Sequence, residues 1–232
     1  MKYKLFKREL VLGVVILFLI STIGASNVPG DSKNIENEQI QDVIKNQKDS
    51  NLEFSGLISE EHIPLQISGT EAYVSAYKRG GQIKRLYGEA FSQGESPEES
   101  AEKFLQSNAH LFGIESSDLG DQSLQPIMYL TEIDEYKFTG VNYVQYKDGI
   151  RVFQSRLILL VKNEEGYPLV HASVDLRNLE GFVPDKGDLN PDEGINNVMK
   201  LYPNLVQFTQ QKLVIWAGID DMIVKPTLAY SF

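Results

Sequence analysis

Residues 140–176 read GVNYVQYKDGIRVFQSRLILLVKNEEGYPLVHASVDL, and the fold turns on them. Thr139 to Tyr146 alternates in the two-residue period of a strand. Lys147-Asp148-Gly149 follows as a glycine-containing hairpin turn. Ile150 to Lys162 is long and apolar, interrupted at Gln154 to Arg156, and Asn163 to Gly166 turns the chain back. Tyr167 to Leu176 closes the set. Three strands joined by short turns make an antiparallel meander.

Upstream of the meander, Ser96-Pro97-Glu98-Glu99 marks a helix start: Ser96 as the cap, Pro97 at the first helical position, Glu99 reaching back to the cap. Ala101, Phe104, Leu105, Leu111 and Phe112 fall on one broad face, and Gly113 supplies a left-handed stop. A helix over 97–112 is therefore predicted. Further upstream, Glu71 to Lys78 and Ile83 to Phe91 flank Arg79-Gly80-Gly81 as a hairpin, whose cations Lys78, Arg79, Lys84 and Arg85 read as solvated strand ends. Downstream, Asn190-Pro191-Asp192-Glu193 repeats the cap, and Ile195, Val198, Met199 and Tyr202 follow at helical spacing. KLVIWA (212–217) and TLAYSF (227–232) read as a closing hairpin that stops inside its second strand, so the second unit is expected to be incomplete. A capped helix followed by a meander predicts an α+β fold, an antiparallel sheet packed on a helix.

The N-terminus addresses compartment. Lys2, Lys4, Lys7 and Arg8 precede an uncharged sixteen-residue run from Leu10 to Ala25. These are the parts of a secretory signal, with cleavage expected at Ala25, and the run is short of the ~20 residues of a membrane span. Cleaved or kept as an anchor, it sends the rest of the chain across the membrane. Residues 26–51 are polar and read as a linker. Loss of 1–25 removes four of the 22 basic residues and one of the 32 acidic ones, leaving 18 against 31 and a net charge of −13. That charge argues against nucleic acid and anionic membrane as partners and favours basic ones. With no cysteine, thiol catalysis and a disulfide framework are excluded, and a hydrophobic core must hold the exported part.

No catalytic motif emerges. His62, His110 and His171 are far apart, and Glu61-His62 has no second histidine four residues on, so HExxH is absent. There is no Gly-x-Ser-x-Gly elbow and no glycine-rich phosphate loop. Asp185, Asp188, Asp192 and Glu193 surround a turn and a helix start, where negative charge is favourable. Glu132, Asp134 and Glu135 read as a solvated strand connection. Neither cofactor nor metal is expected. Tyr143, Tyr146 and Phe153, near the Asp148-Gly149 turn, are the candidate partner contacts, although cross-strand pairing explains such aromatics equally well.

The order of segments resembles a known family. AEKFLQSNAHLFGI (101–114) followed by residues 140–176, and preceded by GQIKRLYGEAF (81–91), is similar to the fungalysin/thermolysin propeptide (FTP) domain. LNPDEGINNVMKLYP (189–203) with KLVIWA and TLAYSF resembles part of a PepSY module. The resemblance implies a cystatin-like architecture, an FTP-like domain over 52–180 and a partial PepSY-like module over 181–232. It also implies a pro-region that inhibits, or assists folding of, a secreted thermolysin-like zinc metallopeptidase. The zinc-binding domain that follows in such proteins is missing from this sequence, so the expected chain is a secreted, non-catalytic module. The alternatives are a truncated or split metallopeptidase precursor, and an extracellular or envelope binding or structural protein.

Overall fold

A computed structural model describes residues 59–185, 190–204, 209–219, 222 and 224–232. The expected signal segment with its cleavage point at Ala25, and the linker 26–51, lie outside the described residues. The described residues form two compact units, one of 59–185 with 214–228, the other built from 190–213 with 229–232.

The larger unit is dominated by β-structure. Its strands are β1 (Glu60–Gln66), β2 (Tyr73–Arg79), β3 (Gln82–Ser92), β4 (Leu119–Leu130), β5 (Glu135–Lys147), β6 (Ile150–Lys162) and β7 (Leu169–Asp175). They lie in the order β1-β2-β3-β7-β6-β5-β4, each antiparallel to its neighbour. Strand β8 (Lys212–Trp216) joins β6 in parallel, Val214 opposite Arg151 and Ile215 opposite Val152, and β9 (Thr227–Ser231) pairs with β8. The described residues thus build a mixed sheet of nine strands with two short α-helices, α1 (Pro97–Asn108) and α2 (Pro191–Leu201).

This overturns the expected α+β arrangement of an antiparallel sheet on a helix, with its cystatin-like form. Two physical causes explain the difference. Strands β1 and β4 lack the apolar alternation that betrays a strand, because they are edges whose side chains stay largely exposed. The parallel joining of β8 to β6 is a pairing of residues more than sixty positions apart, which no local pattern encodes.

The helix at 97 forms where its cap signal places it. Ser96 Oγ accepts from Glu99 N at 3.2 Å, and Pro97 occupies the first turn. The Glu99 carboxylate reaches one residue beyond the cap, accepting from Glu95 N at 2.7 Å. The α-helix ends at Asn108, the 3-10 turn Ala109–Phe112 completes the expected span, and Gly113 (φ 71°) supplies the left-handed stop. Its buried stripe of Ser100, Ala101, Phe104, Leu105 and Asn108 faces the sheet core of Phe91, Val141, Leu157, Leu159 and Leu169. Phe104 stacks obliquely on Phe91, ring centres 5.2 Å apart, and on Phe112 at 6.1 Å. Polar groups on that stripe are satisfied. Ser100 Oγ donates to Tyr167 O at 2.6 Å, Ser92 Oγ to Ser100 O at 2.7 Å, and the Asn108 amide bonds both Ser68 N and Ser68 O.

Both edges of the long sheet carry a proline, Pro64 in β1 and Pro126 in β4, which withholds one N–H from any further strand. In the smaller unit, Asn190 Oδ1 accepts from Asp192 N at 3.0 Å to cap α2. There Gly194 lets the Phe232 ring approach: a Cβ on Gly194 would stand 3.1 Å from Phe232 Cζ.

Candidate functional site

Strand β5 has two ends with different surroundings. At its C-terminal end, Asp148 (φ 51°) and Gly149 (φ 74°) are both left-handed, making the two-residue turn that pairs Lys147 with Ile150. Just inside, the β5–β6 register shifts between Val144 and Tyr146, and Gln154 on β6 has φ 50°. Close to these irregularities three polar side chains are buried. Gln145 is 1% exposed, Ser155 is buried and Arg177 is 7% exposed. Gln145 Nε2 donates to Arg177 O at 2.9 Å, and its Oε1 accepts from Ser155 Oγ at 2.6 Å and Arg177 N at 2.8 Å. The guanidinium donates Nε–H to Gly218 O at 3.0 Å, and pairs through Nη1 with Asp175. A network so bonded ties the segment that follows β7 to the segment that follows β8, and its polar atoms are occupied within it.

The three aromatic candidates fall among different partners. Tyr143 is 6% exposed and belongs to the core. Its hydroxyl accepts from Gln122 Nε2 at 3.3 Å, and burial, with Glu102 and Glu98 nearby, pushes its pKa up to about 12. Tyr146 lies over Gly120, where a Cβ would meet its ring at 3.1 Å, and its hydroxyl bonds Asp121. That hydrogen bond, then burial, raises its pKa. Phe153 packs on Trp216, ring centres 5.7 Å apart. The structure does not gather these rings into one exposed patch.

Two of the three histidines, His62 and His171, adjoin the same residue, Tyr87. His62 Nδ1 is hydrogen-bonded to Tyr87 Oη at 2.9 Å, with the Tyr77 ring 5.1 Å away. His171, opposite Tyr87 on β7, is held below the usual imidazole range by burial and then by the charge of Arg85. His110 sits in the 3-10 turn. Among the described residues no three His, Asp or Glu side chains converge as metal ligands. Of the acidic group Asp185, Asp188, Asp192 and Glu193, Asp188 lies outside the described residues.

The other end of β5 is the most distinctive surface. Eight large apolar or aromatic side chains are exposed among the described residues, and five of them, Leu124, Met128, Tyr129, Ile133 and Tyr136, fall on β4, β5 and the turn between. Tyr129 and Tyr136 are directly opposed across the hairpin, their rings 5.2 Å apart and tilted by 60°. They are 48% and 43% exposed. The Tyr129 hydroxyl bonds Asp134, which has φ 58°, and this bond, then burial, raises the tyrosine's pKa. Ile133 N closes the turn on Leu130 O at 3.3 Å. Glu132 and Asp134 thus lie in the expected strand connection, and Glu135 opens β5. Sequence inspection passed over Tyr129 and Tyr136. The signal was present in Met128-Tyr129-Leu130 and Tyr136-Lys137-Phe138, two apolar arms around an acidic turn.

Comparison with known proteins adds no assignment: no family model, no curated protein and no solved structure matches the chain. Among the described residues no helix is long and apolar enough to cross a membrane.

Proposed function

We propose that the chain is an exported, non-catalytic binding module that inhibits a secreted thermolysin-like metallopeptidase, or assists its folding, in the manner of a pro-region. The observation that carries a binding role is the concentration of exposed tyrosine and aliphatic side chains at the end of the β4–β5 hairpin. Solvent-exposed apolar patches of this kind mark interaction surfaces, and tyrosine is over-represented among the residues that dominate binding energy. The choice of partner rests on the sequence resemblance across 81–114 and 140–176, and the extracytoplasmic setting on the basic and apolar N-terminal segments.

Physically, such a module slows its enzyme by covering a complementary surface, so affinity comes from a few desolvated anchors and not from total charge. The test is to titrate the exported chain into metallopeptidases secreted by the same organism, following cleavage rate and refolding yield. Slowed cleavage or improved refolding at micromolar chain is the expected result. If every peptidase is unaffected, the pro-region role is wrong. Stoichiometric zinc surviving dialysis, or chelator-sensitive proteolysis by the chain itself, would contradict its non-catalytic character.

A further inference from the structure

We infer that the end of the β4–β5 hairpin is a side-chain anchor that inserts into an apolar, basic-rimmed cleft of the peptidase, an inference that rests on the binding role proposed above. Three observations lead there. The first is preorganisation. Tyr129 and Tyr136 face each other across the strands, and Tyr129 is held by Asp134 within the turn. Two rings fixed before binding lose little freedom on docking.

The second observation concerns the backbone. β4 is an edge of the sheet, and a regular edge would invite another strand. This edge is broken three times: by left-handed Asp121 (φ 48°) beside the register shift between Gly120 and Ser123, by Pro126, and by left-handed Met128 (φ 60°). Irregular backbone and proline are what keep an edge from pairing. Recognition is thereby left to side chains, and pairing of β4 with β4 of a second copy is disfavoured.

Charge supplies the third. Glu132, Asp134 and Glu135 surround the aromatic pair, and none forms an ion pair with a described residue. Beside them is an open cleft of about 480 Å³ whose lining includes Glu135, Glu164, Glu165, Thr139, Asn163 and Tyr167. Of its carboxylates Glu164 is paired, with Lys162 at 3.4 Å. An apolar anchor flanked by an acidic cleft fits a surface that offers an apolar pocket and, at its rim, a lysine or arginine able to enter the cleft. A second copy of this acidic chain would bring like charge to that cleft.

The experiment measures association and dissociation of the exported chain with each secreted metallopeptidase of the organism, at low and high salt. Wild type is compared with Tyr129→Ala, Tyr136→Ala, the charge reversal Glu135→Lys with Glu165→Lys, and Tyr73→Ala, an exposed aromatic on β2. The two hairpin alanine variants are expected to melt as wild type does and to bind about thirtyfold more weakly, through faster dissociation. Charge reversal is expected to slow association about tenfold, wild-type association to fall with salt, and Tyr73→Ala to bind as wild type. If wild type binds a peptidase and the hairpin variants bind equally well, the anchor is elsewhere and the inference fails while the binding role stands. Salt-independent association would remove the basic rim. Concentration-dependent dimerisation abolished by Tyr136→Ala would make a second copy the occupant and overturn the inference. Failure of wild type to bind any of the peptidases overturns both.

Discussion

The two ends of β5 use the same kinds of residue to opposite purposes. At the Asp148-Gly149 end, Gln145, Ser155 and Arg177 are buried and bonded to each other, and Tyr143 is in the core. At the Tyr136 end, apolar rings face solvent while the neighbouring carboxylates remain without ion pairs among the described residues. Polar groups are inside where the strand is anchored, and apolar groups outside where it projects. Residue type alone therefore says little about role. What decides is whether the side chain is buried and bonded, as at Gln145, or left exposed, as at the β4–β5 turn.

The packed side of the sheet is the more sensitive to substitution. Phe104→Ala removes a ring wedged between Phe91 and Phe112, and a loss of about 3–5 kcal/mol is expected in chemical denaturation. A loss below about 1 kcal/mol would show that the buried stripe of α1 does not hold the sheet. Arg177→Met leaves Gly218 O and Gln154 O without their guanidinium donors, and about 2–3 kcal/mol is expected to go, the charge-assisted bonds being the larger part.

A pH titration sharpens the contrast between buried and exposed tyrosines. Tyr143 has its pKa raised to about 12, so the fold favours its neutral form. The unfolded chain releases that proton near pH 10 while the fold retains it, so the contribution is whole below pH 10 and is lost as pH rises toward 12. Stability should fall more steeply between pH 10 and 12 in wild type than in Tyr143→Phe. Equal slopes would place Tyr143 in water. The smallest expected effect is on stability at the hairpin end: Tyr136→Ala should change unfolding free energy by no more than about 0.5 kcal/mol, since the ring is exposed and outside the core. A large loss there would make the aromatic pair a structural clamp.

Much of the sheet was legible because alternation and turn chemistry are local. β6 has the expected bounds, Asp148-Gly149 makes the expected turn, and Ser96 caps the expected helix. β4 was not legible, because a strand exposed on both faces has no apolar period to detect. The α+β expectation erred by giving a twelve-residue helix the weight that belongs to nine strands. The choice of Tyr143, Tyr146 and Phe153 followed nearness to a turn. Burial depends on what crosses above each ring, and α1, Gly120 and Trp216 come from distant parts of the sequence. The aromatic pair at Tyr129 and Tyr136 became visible only once the β4–β5 register placed the two side by side.

The most direct test of this division is amide hydrogen exchange of residues 26–232, alone and with a secreted metallopeptidase added. New protection is expected over 128–137 on binding, with unchanged exchange at Arg177, whose backbone N–H already donates to Gln145 Oε1 at 2.8 Å. Protection confined to the Asp148-Gly149 end, with 128–137 exchanging as in the free chain, would contradict it.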